Sequence, residues 1–300
     1  QYVRNDHMIS REELFRYFGR LQINKYGITG KMNEAIGTAI YLGLSVLDHS
    51  CLPDLEYRFI RSTMILRSQK EGQKYSDNLL VSYMPHLLTT EERRERLREY
   101  YFFECNCVRC KDKEEDGYAR SMECSSCKDG ICPLYDDSTT LSCAQCHAVS
   151  SITPDKAYRL NAEILPGMDF GTKDITTVYE DKSKVLSRRN TQLALLASRL
   201  VVQHMNNPSL SAKYESLCEE TLTSSIPLGV TDLTVILGNL TVAAKKREPS
   251  SANTRRLCAK LRSAILASHG TEKTARSRDD PYAVYIYDII TGIENKNRKK

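Results

Sequence analysis

The chain has 300 residues, 41% of them hydrophobic and 27% charged, with a net charge of +5. That length suggests about two domains and enough chain to bury a real core. The modest charge gives no case for a strongly basic nucleic-acid binder, and no apolar run approaches the roughly 18 residues of a membrane span.

The chain opens at Gln1-Tyr2-Val3-Arg4, without an initiating Met or a secretory signal, and is expected to be a portion of a longer protein. Ser10 and Glu13 make a capping box. Leu14, Phe15, Phe18 and Leu21 then recur at helical spacing, so residues 10–22 are predicted helical. Residues 38–47 are small and apolar and lead into Asp48-His49-Ser50-Cys51. Strand-like runs follow at Leu55–Ile60, Thr63–Arg67 and Leu79–Tyr83. Thr89 and Glu92 cap a charged helix over about 90–99. Eight of the 11 cysteines then fall between residues 105 and 146, among Lys, Asp, Ser and Gly. From about residue 155 the chain reads helical. Leu193, Leu196, Ala197 and Leu200 share one face, Leu257, Leu261, Ala264 and Ile265 another, and His269-Gly270 supplies a C-terminal stop. An antiparallel helical array is predicted, with no countable repeat. A short basic tail (Lys296, Arg298, Lys299, Lys300) closes the chain.

The cysteines carry metal-ligand spacing. Zinc prefers four soft ligands in a tetrahedron. Cys124-x2-Cys127-x15-Cys143-x2-Cys146 meets that demand alone, as a ribbon of two knuckles. Cys132 and His147 are spare and read better as structural. Cys105-x-Cys107-x2-Cys110 supplies only three sulfurs. The candidate for the fourth is Cys51, flanked by His49 and Pro53, which would staple the Asp48–Cys51 segment to residues 103–110. Cys218 and Cys258 lie in helical patterns and read as core residues. Without a secretory signal, thiolates on metal are expected rather than disulfides.

Asp48-His49-Ser50-Cys51-Leu52-Pro53-Asp54 resembles the Asn-His-Ser-Cys-x-Pro-Asn signature of SET-domain lysine methyltransferases. Tyr83 resembles the tyrosine that closes that domain. Glu91-Glu92-Arg93-Arg94 and Tyr101-Phe102-Phe103-Glu104-Cys105-Asn106-Cys107-Val108-Arg109-Cys110 resemble the post-SET segment of the SET- and MYND-domain (SMYD) family. Asn24 and the helix ending at His269-Gly270 also match that family's pattern. The resemblance implies an α+β chain. Residues 1–88 would be the C-terminal half of a SET domain, and 89–150 a post-SET, zinc-ribbon-like region. Residues 151–300 would form a helical, TPR-like domain. It implies S-adenosylmethionine and zinc as cofactors, a histone or other protein lysine as substrate, and a nuclear or cytoplasmic location. By resemblance, Tyr83 and Tyr101 are catalytic. Asn24, Ser45, Asp48, His49 and Phe103 meet the cofactor. Taken alone, each of these residues reads as an ordinary strand, turn or core position, and only their linked spacing lifts them.

Three departures from the family pattern bear on activity. Asp48 and Asp54 stand where the signature has Asn, and an ionised carboxylate accepts hydrogen bonds without donating. Ser76-Asp77-Asn78 replaces a Gly-Glu-Glu. The chain contains no G-x-G, so the glycine-rich cofactor loop is absent, and this portion is expected to be inactive alone. A second class of function is a catalytically dead, zinc-stabilised interaction scaffold. A nucleic-acid-binding ribbon is disfavoured, because residues 124–147 contain one Lys and no Arg.

Overall fold

The computed structural model describes residues 9–29, 35–60, 62–69, 72, 74, 78–162, 174–225, 231–269, 286, 288 and 290–292. Ser76-Asp77, the Gly270 stop and the basic tail lie outside them.

Helix α1 (Arg11–Asn24) begins at the expected capping box. Ser10 Oγ accepts from the Glu13 N–H at 3.1 Å, and Glu13 Oε2 accepts from the Ser10 N–H at 2.9 Å. Two backbone donors that a helix start leaves over are satisfied in this way. The apolar stripe stays open: Leu14, Phe15 and Phe18 are 60%, 61% and 57% exposed. Strand β1 (Lys25–Thr29) pairs antiparallel with β2 (Ala35–Ile40), with an irregularity between Ile28 and Thr29. Sequence reading misses this pair because Gly27 and Gly37 weaken the strand signal. The hairpin of β3 (Leu55–Ile60) and β4 (Thr63–Ser68) follows the predicted runs and closes at Ile60 and Thr63.

The expected strand Leu79–Tyr83 does not form a ladder. Only Val81 bridges, in parallel, to His49 and to Leu55. Its N–H donates to the Asp48 carbonyl and its carbonyl accepts from the Ser50 N–H, both at 3.0 Å. The Leu80 carbonyl faces the other way and accepts from the Asp54 and Leu55 N–H groups at 2.9 and 3.0 Å. Residues 80–81 therefore lie between the two limbs of the 48–55 turn. Each limb is cut short by that turn, where Pro53 has no N–H to give, so pairing ends after one bridge.

Helix α2 (Thr90–Tyr101) starts at the Thr89/Glu92 capping box and stops at Phe102, whose φ of 61° is left-handed. A bulky residue there is uncommon. The reversal leaves Phe102 in solvent and turns Tyr101 and Phe103 inward. Short helices α3 (Val108–Lys111) and α4 (Lys113–Ala119) lead to the small hairpin of β5 (Met122–Glu123) and β6 (Ile131–Cys132). The remainder is helical: α5 (Pro154–Ala162), α6 (Ile175–Lys182), α7 (Thr191–Gln203), α8 (Pro208–Ser225), α9 (Thr231–Arg247) and α10 (Ala252–His269). Short connections fold α7 back on α8 and α9 back on α10. The two predicted stripes, Leu193 to Leu200 and Leu257 to Ile265, are buried at every named position. No helix among the described residues is long and apolar enough to cross a membrane.

Two cores form. The smaller gathers Cys51, Met84, Leu88, Leu97, Cys105 and Cys110, with Tyr83, Tyr101 and Phe103 against it. The larger spans helices α5 to α10 and also takes in Met122, Cys132, Leu134 and Leu141 from around the β5–β6 hairpin. A buried polar network locks that hairpin to the helices. Asn190 caps α7 and donates to the Ser121 carbonyl (3.3 Å) and Asn161 Oδ1 (2.8 Å), and Asn161 donates to the Arg120 carbonyl (3.1 Å). Ser121 and Ser187 meet through their hydroxyls at 2.6 Å. Buried polar groups stay buried only when partnered in this way.

Candidate functional site

Two cysteine groups, Cys51/Cys105/Cys107/Cys110 and Cys124/Cys127/Cys143/Cys146, each bring four sulfurs within 4.8 Å of one another and could hold a zinc ion. With zinc–sulfur bonds of about 2.3 Å, a tetrahedron has sulfur–sulfur edges of about 3.8 Å. The observed separations fit. They are 3.9 Å for Cys51–Cys105, 3.5 Å for Cys51–Cys110, and 3.7 Å for both Cys124–Cys146 and Cys127–Cys143. Cys51 closes the three-sulfur group, as ligand counting expects. Cys132 belongs to neither group. It is fully buried in the larger core, which pushes its thiol up to about 12. His147 is outside both groups as well, while Cys218 and Cys258 are buried core residues.

The two sites differ in surroundings. In the first, hydrogen bonds from the Cys110 and Cys51 side chains, and then from their backbone N–H groups, push the Cys107 thiol down. In the ribbon, sulfurs accept from backbone: the Ser126 N–H reaches Cys124 Sγ at 3.3 Å, and the Gln145 and Cys146 N–H groups reach Cys143 Sγ at 3.4 and 3.5 Å. The Cys146 N–H is the main reason that Cys143 is lowered to about 6. Gly130 makes the ribbon possible. A Cβ there would lie 2.4 Å from Cys127 Sγ and 2.8 Å from Cys143 Sγ. Gly130→Val is expected to force the knuckles apart, destabilise the chain by about 1–3 kcal/mol from overpacking alone and halve its zinc content. Elemental analysis and a thermal melt check this; two zinc ions per chain in the variant would refute it.

Beside the first site lies a pocket of about 190 Å³ lined by Asn24, Ser45, Tyr83 and Tyr101, four of the residues singled out from sequence, together with Tyr26 and Tyr57. Four stretches of chain supply them. Asn24 ends α1, Ser45 follows β2, Tyr83 follows the threaded segment, and Tyr101 ends α2. The Tyr83 and Tyr101 rings lie 4.8 Å apart, and Tyr26 meets Tyr57 edge-on at 5.4 Å. The Tyr83 hydroxyl donates to the Leu47 carbonyl at 2.5 Å. Burial, with Tyr26 next to it, pushes that hydroxyl up to about 12, so it stays a donor. Sequence reading missed Tyr26 and Tyr57. Tyr26, two residues beyond Asn24, was the available signal.

His49, Phe103 and Asp48 are placed differently. The His49 ring packs 5.1 Å from Tyr83 and 5.8 Å from Phe103. Its Nδ1 accepts from the Tyr83 N–H at 3.0 Å, which leaves the proton on Nε2, 3.2 Å from Cys51 Sγ. Burial holds the ring neutral, lowered to about 4. His49 thus joins the backbone of Tyr83 to a sulfur of the first site. Asp48 enters through its carbonyl, bonded to Val81, and is otherwise exposed. The pocket is smaller than the roughly 300–1,000 Å³ of sites that take a whole drug-sized ligand. With its tyrosines and amide it fits one end of such a molecule.

No protein-family model matches the chain. Among curated proteins it is 34% identical over 104 residues to histone-lysine N-methyltransferase SMYD3 of Mus musculus, a stretch covering 35% of this chain and 24% of that protein. It is 30% identical over 115 residues to N-lysine methyltransferase SMYD2-A of Xenopus laevis, covering 38% and 26%. It is 24% identical over 172 residues to N-lysine methyltransferase SMYD2 of Homo sapiens, covering 57% and 39%. The match thus spans between a quarter and two-fifths of these relatives' length. The curated homologues of this chain are SMYD2 and SMYD3 protein-lysine methyltransferases.

Proposed function

We propose that this chain is part of an SMYD-type, S-adenosylmethionine-dependent protein-lysine N-methyltransferase acting on histone or other proteins. Residues 1–88 would carry the C-terminal half of the SET domain. Residues 89–150 would form the post-SET and ribbon region, and 151–300 a helical domain shaping the substrate cleft. The observation that carries this reading is the convergence of Asn24, Ser45, Tyr83 and Tyr101 on one pocket, backed by the Cys51 site.

S-adenosylmethionine, when bound, would supply the methyl group for transfer to a neutral lysine amine. In this reading Asn24, Ser45 and the backbone at Asp48 and His49 hold the cofactor, with Phe103 as a wall. The tyrosine walls disfavour the charged form of a lysine, whose ordinary pKa is near ~10.4. Tyr83, kept protonated and donating to the Leu47 carbonyl, would offer its hydroxyl oxygen to the site of transfer, and the Tyr101 ring tilted against it would fix the ring. Holding the reactants in line is itself a large part of such catalysis. His49 and the first metal site hold the whole wall in place from behind.

The scaffold reading is favoured by one observation, the carboxylate of Asp48 where the signature has an amide. Titration calorimetry of the full-length protein with S-adenosylmethionine, followed by transfer of labelled methyl to a protein array, separates the two. Micromolar binding with label on protein lysines is expected. Absence of cofactor binding would leave the scaffold. Nucleic acid and membrane are not expected as partners of this portion.

A further inference from the structure

Helix α2 carries an arginine pair, Arg93-Arg94, that the proposed reaction does not use. The two side chains do different work. Arg94 donates to the backbone carbonyls of Cys105 (3.2 Å) and Cys110 (3.0 Å), and Glu104 pairs with it. Arg109 likewise donates to the Cys51 carbonyl and is paired with Glu115. Both charges are neutralised locally. Arg93 is 2% exposed, and no carboxylate among the described residues pairs with it. Its guanidinium donates to the Leu88 carbonyl (2.6 Å), to Thr90 Oγ1 (2.9 Å) and to Cys110 Sγ (3.7 Å).

A buried, unpaired cation costs several kcal/mol unless a partner charge lies near. Four thiolates around a divalent zinc leave a net charge of about −2, which is equally costly to bury alone. Cys51, Cys105 and Cys110 are 1%, 4% and 7% exposed and Cys107 is half-buried, so water relieves little of that charge. His49 also reaches Cys51 Sγ, but its Nδ1 accepts from the Tyr83 N–H, so the ring holds one proton and brings no positive charge. Among the described residues, the positive charge that meets a sulfur of this site is Arg93. The ribbon is built otherwise. Backbone N–H groups meet sulfurs in both sites, but at the ribbon Cys146 is also exposed to solvent.

We propose that Arg93 is the fixed counter-charge of the Cys51/Cys105/Cys107/Cys110 site and makes its metal the slowly exchanging one of two, leaving the ribbon metal as the exchangeable one. This rests on the reading of both clusters as zinc sites. Arg93 is a positioning residue: it acts on the sulfurs, and through them on Tyr101 and Phe103.

The test is zinc release from the zinc-loaded chain to a chromogenic chelator, with cysteine alkylation mapped by mass spectrometry at each step. The wild-type chain should release two zinc ions in two steps. Cys124, Cys127, Cys143 and Cys146 should become alkylated in the fast step, and the other four in the slow one. Arg93→Met should accelerate the slow step by about 10–100-fold and leave the fast one unchanged. Arg94→Met, which removes carbonyl contacts and the Glu104 ion pair but no contact to a sulfur, should change the slow step far less. Arg93→Gln keeps a donor for Leu88 and Thr90 without the charge, and serves if the Met variant does not fold; it too should lose the slow step. A wild-type slow step in Arg93→Gln or Arg93→Met overturns the proposal. A wild-type chain that holds no zinc overturns the metal reading beneath it instead.

Discussion

Replacing Cys51 with serine is expected to strip one zinc ion from the chain and unfold the smaller of its two cores while the larger persists. Cys51 is the long-range member of its site: the other three sulfurs come from residues 105–110, more than 50 positions away. Structural zinc contributes an apparent ~10–16 kcal/mol in small zinc-folded units, which matches or exceeds the ~5–15 kcal/mol net stability of a whole domain. The smaller core has few residues, and three of its six fully buried members are ligands of this metal. Little apolar burial remains to hold it once the metal leaves. His49 would lose its sulfur partner and with it part of its hold on Tyr83. Hydrogen exchange should show protection lost over 48–52 and 101–110 and retained in α7 to α10. Uniform loss over both regions would show that the cores are one cooperative unit. Unchanged protection with both metals bound would remove Cys51 from the ligand set.

Tyr83→Phe in the active, full-length protein is expected to cut methyl transfer by about 10²-fold or more, the usual cost of one preorganised polar group at the reacting atoms. The hydroxyl is held by a 2.5 Å hydrogen bond to the Leu47 carbonyl, and Tyr83 lines the pocket together with Asn24, Ser45 and Tyr101. Deleting the hydroxyl leaves the ring contact with Tyr101 untouched, and stability should change by only about 0.5–1.5 kcal/mol. Single-turnover transfer of labelled methyl, alongside a thermal melt, separates the two effects. Full turnover in the variant would end the catalytic reading of Tyr83. A large fall in melting temperature would make it a structural residue.

Local chemistry was the legible part of this chain. The capping boxes at Ser10/Glu13 and Thr89/Glu92 and the β3–β4 hairpin lie where residue patterns put them, because each is decided within a few residues. The two buried helical stripes follow from period alone. The Cys51 closure was legible over a long distance for a different reason: a metal has a fixed ligand count, so a missing sulfur can be sought. What stayed hidden depends on tertiary neighbours. Tyr57 lies in a predicted strand and Tyr26 in no predicted element, and their meeting shows only once the β1–β2 and β3–β4 hairpins face each other. The stripe of α1 shows which side chains share a face, not what lies over it, and that face is open. Val81 reads as part of a strand, yet its pairing is set by a turn 30 residues earlier. The hairpin around Met122 and Cys132 was read with the cysteines, but its side chains belong to the helical core, a matter of packing that spacing cannot express.

The double hold on residues 80–81 has a consequence for how the chain closes. A segment gripped from both sides by one turn cannot be added at an edge. Either the turn at 48–55 closes around it, or it slips into a turn already shaped. Cys51 sits in the middle of that turn, and its sulfur partners lie on the far side of the segment in the chain, at 105–110. Metal binding at Cys51 therefore closes a loop of chain that contains residues 80–81, and it pins the middle of the turn that holds them.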